Sequence, residues 1–284
     1  MSYRDKKDFI LMLMWFVEGI VVGFGAILPG ISGGTLCVAF GMYRPIIETI
    51  SDLRTGLKKH CLMLAIFFFG IATGFVGLSG LAAWLLDKNT VLLTCIFVGF
   101  ILGTIPELWK DAGQQGRSKS SYTSMLVAFA VMLVILYMLK KEVSIVVETD
   151  FAGYLLCGVL WGLSFIVPGL SSSSLLLFFG LYQPMLKGIS TLNLNVLVPM
   201  GIGMLACVLI LSKAVGYAYR RYYSVVAHSV LGIVVATTVM IIPTQQVSIP
   251  VLIMNIVGVI VGAIVSYKFT CICKKMQESA KTVE

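Results

Sequence analysis

The sequence predicts an all-α integral membrane protein, a single membrane domain over residues 1–284 made of two inverted repeats of about five hydrophobic segments each. Three observations predict it: recurrent apolar runs of bilayer length, an internal repeat with a Pro-Gly-x-Ser motif in each half, and basic residues gathered in alternate breaks between runs. Hydrophobic residues make up 58% and charged residues 12% of the chain, with mean hydropathy +0.98. Soluble domains carry roughly 25% charged residues, so a soluble fold could not hide this much apolar surface. The net charge of +8 does not point to nucleic acid, because the basic residues are spread over short breaks and form no continuous face.

Ten apolar stretches follow in order: 9–28, 31–50, 62–86, 91–106, 122–139, 151–167, 170–189, 196–211, 225–243 and 249–269. The first follows Arg4, Lys6 and Lys7 as a signal peptide would, yet it lacks a small-residue cleavage site and runs into the first motif, so it belongs to the mature chain. The first five stretches form one repeat, 9–139, and the last five the other, 151–270. The tail, 271–284, is expected to be cytoplasmic, and its charged part from Lys274 to Glu284 to be frayed. Of 7 cysteines, Cys37, Cys95, Cys157 and Cys207 lie in apolar runs and read as packing residues. Cys271 and Cys273 have no partner ligands at metal spacing and read as unmodified thiols; no disulfide framework, metal or cofactor is expected.

Sliding the chain against itself lays Pro29, Gly30, Ser32, Leu36, Phe40, Gly41, Tyr43 and Pro45 on Pro168, Gly169, Ser171, Leu175, Phe179, Gly180, Tyr182 and Pro184 without a gap. Upstream, Gly19 and Gly23 fall on Gly158 and Gly162. Half of the 8 prolines lie in this window, which shared helix composition does not explain.

Placing the amino terminus in the cytoplasm puts Arg54, Lys58 and Lys59, then Lys110, Arg117 and Lys119, then Lys213, Arg220, Arg221 and the basic tail on the inner side. The outer side receives only Lys88, Lys140, Lys141 and Lys187, so both termini are expected to be cytoplasmic. An odd number of segments per half inverts one half relative to the other, an arrangement common in secondary transporters. Each Gly/Pro-rich pair reads as two full spans or as one re-entrant hairpin, and either leaves the chain on the same side. The hairpin is favoured, because Pro-Gly between two apolar arms makes a tip, and non-helical backbone at membrane depth needs cover from protein or a wet cavity.

In Pro29-Gly30-Ile31-Ser32-Gly33-Gly34-Thr35 the proline and glycines disfavour helix, and Ser32 is placed to cap the apolar helix that follows. Open N–H groups at a helix start suit an anionic oxygen. The second copy, Pro168-Gly169-Leu170-Ser171-Ser172-Ser173-Ser174, replaces glycines with hydroxyls. The blander account is that small residues permit tight helix packing and hydroxyls bond to the preceding turn. Duplication with Pro-Gly at both sites favours a substrate site with Pro29, Gly30, Pro168 and Gly169 as its breaks. Glu18, midway along the first stretch, reads equally as a proton-coupling acid and as a carboxyl bonded to a neighbouring helix. Arg44 lies four residues before Glu48, so an ion pair competes with a phosphate contact; Gln183 occupies the equivalent position and keeps donors without charge. His228 reads as a packed or pore-facing residue.

At these paired motifs the sequence resembles the PopT-type polyprenyl-phosphate (undecaprenyl-phosphate) translocase family. The likeness covers nearly the whole chain, and the segment from Pro29 through Gly41-Met42-Tyr43 is close to the family pattern. The second motif is looser, with Ser172 where the family tends to have Gly, and Ala26 and Ile27 stand where members often carry an acidic residue. The resemblance implies a flippase of a bacterial or archaeal plasma membrane that returns undecaprenyl phosphate to the cytoplasmic leaflet for cell-envelope synthesis. Its partner would be the lipid phosphate, held by Ser32, Gly33, Gly34, Thr35, Arg44 and Ser171 to Ser174. A homo-oligomer is compatible with this, and nucleic acid is not expected. Two rivals stay open. Undecaprenyl-pyrophosphate phosphatases also pair inverted repeats with Pro-Gly and Ser-rich loops, but need an arginine where Ser172 stands and acidic residues beside the first motif. A secondary transporter of a small soluble anion is the other.

Overall fold

The computed structural model describes residues 3–28, 36–37, 40, 42, 45–46, 49, 53–142, 149–167, 170, 172–243 and 248–282. Among them the backbone forms only helices: α1 (Tyr3–Ile27), α2 (Leu53–Lys88), α3 (Thr90–Ala112), α4 (Lys119–Glu142), α5 (Phe151–Ile166), α6 (Ser172–Phe178), α7 (Tyr182–Ser190), α8 (Leu194–Ile241) and α9 (Ile249–Thr282). Five of these, α2, α3, α4, α8 and α9, hold stretches long and apolar enough to cross a bilayer, and α1 and α5 hold shorter ones. Large apolar side chains point outward along them, with Phe69 67%, Leu209 75% and Ile210 72% exposed. Lipid is the solvent that such a surface matches.

Helix lengths separate the spans from their polar ends. With 48 residues, α8 would run about 72 Å if straight, more than twice a hydrocarbon core of about 30 Å. It breaks at Tyr222, where φ is −134° and ψ 42°. Lys213, Arg220 and Arg221 precede this break, and the stretches 196–211 and 225–243 become its two arms. The surplus turns of the 36-residue α2 carry Arg54, Lys58 and Lys59 at its start. The segment from Lys274, expected to fray, continues α9 as helix to Thr282. Its Lys, Met, Gln, Glu and Ala residues are good helix formers and extend a helix already nucleated in the membrane.

Glycines set how the spans pair. A Cβ on Gly19 would meet the Phe67 carbonyl and one on Gly23 the Ile71 carbonyl, while Gly70 and Gly74 meet the carbonyls of Phe16 and Ile20. Contacts that advance together along both chains mean that α1 and α2 run parallel in close backbone contact. The same holds for α5 against the first arm of α8, where Gly158 faces the Met200 carbonyl and Gly162 lies 2.8 Å, at its Cβ position, from Cys207 Cβ. Two consecutive long helices can be parallel only if the chain between them returns to the face it left. The two Gly/Pro-rich segments, 28–52 and 167–193, lie between the members of these pairs in sequence.

Between the halves the pairing crosses over. α3 runs parallel to α9, with Gly99 against the Val259 carbonyl and Gly262 against that of Ile96. α4 runs parallel to the second arm of α8, with Gly232 against the Met125 carbonyl. Where α4 and this arm begin, Ser121 and Ser224 hydroxyls lie 2.8 Å apart and Ser124 donates to the Val225 carbonyl at 3.0 Å. His228 sits in this junction fully buried, its Nδ1 2.6 Å from the Ser224 carbonyl and its ring edge-on to Trp109 and Tyr122. It is therefore a packed residue, which decides between the two sequence readings.

Candidate functional site

The principal core joins the end of α1 to α5, α6 and α7, with Ile27, Cys157, Leu160, Leu176, Leu181, Tyr182 and Met185 buried together. Its key contact follows from the first Pro-Gly break. Helix α1 stops at Ile27, and the last carbonyls of any helix lie beyond its own ladder of hydrogen bonds. The Tyr182 hydroxyl donates to the Ile27 carbonyl at 2.7 Å, with both groups buried. The buried Ser173 hydroxyl lies close to the same phenol. The Tyr182 ring is held edge-on by Phe97 at 5.7 Å. The end of α1, two residues before Pro29, is thus tied to the start of α7, eleven residues after Ser171.

Downstream of each Pro-Gly the backbone follows one pattern. Phe40 N donates to Leu36 O (2.9 Å), Met42 N to Cys37 O (2.8 Å) and Ile46 N to Met42 O (3.2 Å). In the second copy Phe179 N donates to Leu175 O (2.9 Å), Leu181 N to Leu176 O (2.9 Å) and Met185 N to Leu181 O (3.0 Å). These are the same bonds at repeat-equivalent positions. In the second set the five-residue bond closes a helix end around Gly180, which has the positive φ of 70° that such an end requires. In the second copy this divides the apolar stretch 170–189 into α6 and α7, about 10 and 14 Å long, each too short to cross a bilayer alone. In the first copy Cys37, Phe40, Met42 and Ile46 pack back onto Trp15, Val22, Met63 and Phe67 of α1 and α2.

Of the residues assigned to the site from sequence, Ser172, Ser173 and Ser174 open α6 and are all buried. Pro29, Gly30, Ser32, Gly33, Gly34, Thr35, Arg44, Pro168, Gly169 and Ser171 lie outside the described residues, as does Glu48. Glu18 is half-buried on α1, and its Oε2 is buried without a hydrogen bond to any described residue. Gln183, at the position equivalent to Arg44, commits its amide to Asp87 Oδ1 at 2.6 Å, and Lys187 Nζ lies 2.9 Å from both Asp87 oxygens. This exposed cluster ties the end of α2 to α7, away from the buried serines. The starts of α5 and α8 meet nearby around a cavity of about 440 Å3 lined by Asp150, Tyr154, Asn195 and Pro199 among others.

Three side chains escaped the sequence reading. Tyr182 was visible only as a repeated residue, and its recurrence at Tyr43 was the available signal. Trp161 and Ser164 stand on the last turns of α5, and their Nε1 and Oγ atoms are buried without hydrogen-bond partners among the described residues. Nothing in an apolar helix marks such atoms beforehand.

The fold and these breaks define a multi-pass α-helical membrane protein. Residues 5–123 and 112–255 match the model of the undecaprenyl phosphate translocase-like family, and the chain belongs to that family. It is 27% identical over 248 residues to a polyprenyl-phosphate transporter of Vibrio cholerae serotype O1, covering 82% of this chain and 79% of the relative. It is 25% identical over 264 residues to a polyprenyl-phosphate transporter of Staphylococcus aureus, covering 88% of this chain and 93% of that one. No solved structure matches the chain.

Proposed function

We propose that this protein moves undecaprenyl phosphate, or a similar polyprenyl phosphate, from the outer to the cytoplasmic leaflet of a bacterial or archaeal plasma membrane. The observation that carries the reading is the Tyr182 to Ile27 bond, which draws the surroundings of both Pro-Gly breaks into one buried core. Broken helices at corresponding positions of two halves are where transporters bind their cargo. The parallel pairs, the crossed pairing and the recurrent backbone bonds support two inverted repeats, 9–139 and 151–270, with re-entrant segments carrying the motifs.

A lipid monophosphate crosses a membrane at the cost of desolvating its headgroup, while its tail stays in lipid. The protein therefore needs only to shelter the phosphate. Ser32, Gly33, Gly34 and Thr35 on one side and Ser171 to Ser174 on the other supply neutral donors for this, with Arg44 adding charge and Glu18 available as a coupling acid. Neutral donors hold the anion loosely enough to release it. Both termini are assigned to the cytoplasm on the distribution of Lys and Arg. The names of the relatives support transport without hydrolysis. Thermal unfolding of the purified protein with polyprenyl phosphate, polyprenyl pyrophosphate or soluble anions tests the reading. Stabilisation by the monophosphate lipid is expected, and phosphate release from the pyrophosphate lipid would overturn it.

A further inference from the structure

We propose that the Trp161 indole N–H and the Ser164 hydroxyl are two further donors to the phosphomonoester headgroup, presented by the end of α5 just before the second Pro-Gly break. The inference rests on the transport reading above and names groups that the paired motifs do not contain.

Both polar atoms are buried, and neither has a hydrogen-bond partner among the described residues. A desolvated donor left unsatisfied costs about 1–3 kcal/mol, so two of them three residues apart call for a physical reason. That spacing puts them on one face of the helix, neighbours across a single turn. Phe75 of α2 packs edge-on to the Trp161 ring at 5.0 Å and 77°, which helps hold the indole in place. The helix itself ends at Ile166, two residues after Ser164.

The chemistry of the pair selects its ligand. An indole N–H donates and cannot accept, and a hydroxyl can donate to any acceptor that approaches. A phosphomonoester at neutral pH presents oxygens that accept. Hydrogen bonds to a charged acceptor are about twice as strong as neutral ones, so a headgroup oxygen is an acceptor that would satisfy both groups. Neutral donors also add no fixed charge inside the bilayer.

The full-length protein in lipid nanodiscs, with Trp161→Phe, Ser164→Ala, the double variant and Ser164→Thr, supplies the test. Unfolding temperature without ligand is measured first, then affinity for polyprenyl phosphate and for inorganic phosphate. Removing an unsatisfied donor should leave the ligand-free unfolding temperature unchanged or raised, while affinity for polyprenyl phosphate falls roughly tenfold for each group removed. Ser164→Thr should bind as the parent does. Equal lipid affinity in parent and double variant, or a lower ligand-free unfolding temperature in the variants, overturns the assignment. Parent protein that binds inorganic phosphate alone, with loss in the double variant, keeps the donors and overturns the lipid reading. Parent protein that binds neither overturns both.

Discussion

The hydroxyl of Tyr182 donates to the carbonyl of Ile27 across 155 residues of sequence, between two residues that are 1% and 0% exposed. It closes a carbonyl at the end of α1 with a side chain that follows the second Pro-Gly break. Removing the hydroxyl while keeping the ring, as in Tyr182→Phe, leaves a buried acceptor without its donor. The expected loss is about 1–3 kcal/mol of stability, read as a lower unfolding temperature in detergent. Leaflet transfer should fall with it, because the end of α1 and the start of α7 lose their direct tie.

The exposed cluster at the other end of α7 should behave differently. Asp87 and Lys187 side chains are about half exposed, and such pairs contribute at most about 1 kcal/mol. Asp87→Ala should therefore shift unfolding much less than Tyr182→Phe. Added salt should shrink that shift further. Scanning both variants at two ionic strengths checks the contrast.

Helix pairing rests on glycines, and two of them make opposite cases. Gly19 has no room for a side chain against the Phe67 carbonyl, whereas a Cβ on Gly77 meets nothing within 4 Å. Gly19→Leu should separate α1 from α2 and lower stability by about 1–3 kcal/mol or more. Gly77→Leu should be neutral or stabilising, since a lipid-facing helix gains up to about 1 kcal/mol when glycine is replaced. Unfolding temperatures of the two variants distinguish packing from propensity.

Orientation can be read with introduced thiols in a cysteine-free background. Asn89 lies in the exposed turn between α2 and α3, and Gln115 in the exposed turn between α3 and α4. Asn89→Cys should react with a membrane-impermeant maleimide in intact cells. Gln115→Cys should react only after permeabilisation. The reverse pattern would place the termini outside.

The spans and the doubled motif were legible because hydropathy and Pro-Gly are local properties of the chain. The division of α8 was legible too, since Lys213, Arg220 and Arg221 cannot sit in hydrocarbon, although the helix continues almost unbroken through Tyr222. The helical course of the tail was misread, because charge marks a segment as outside the membrane without ending its helix. The tie from Tyr182 to Ile27 was hidden for another reason. Its acceptor is a backbone carbonyl, which every residue has, so nothing in the side chain of Ile27 announces it. Trp161 and Ser164 could not be read at all, because an unpaired donor is defined by what its neighbours lack. Gln183 looked like a weakened copy of Arg44, and only the approach of Asp87 from α2 reveals where its amide goes.

The central claim is movement of a lipid phosphate past the paired breaks. Reconstituting the purified chain in vesicles that carry polyprenyl phosphate, and following how fast the lipid becomes accessible in the opposite leaflet, tests it most directly. The account predicts faster transfer with the parent protein and loss of that transfer in the Ser32→Ala, Ser171→Ala double variant. Parent protein that leaves the lipid in its original leaflet would contradict the function, and a double variant that transfers it at the parent rate would contradict the site.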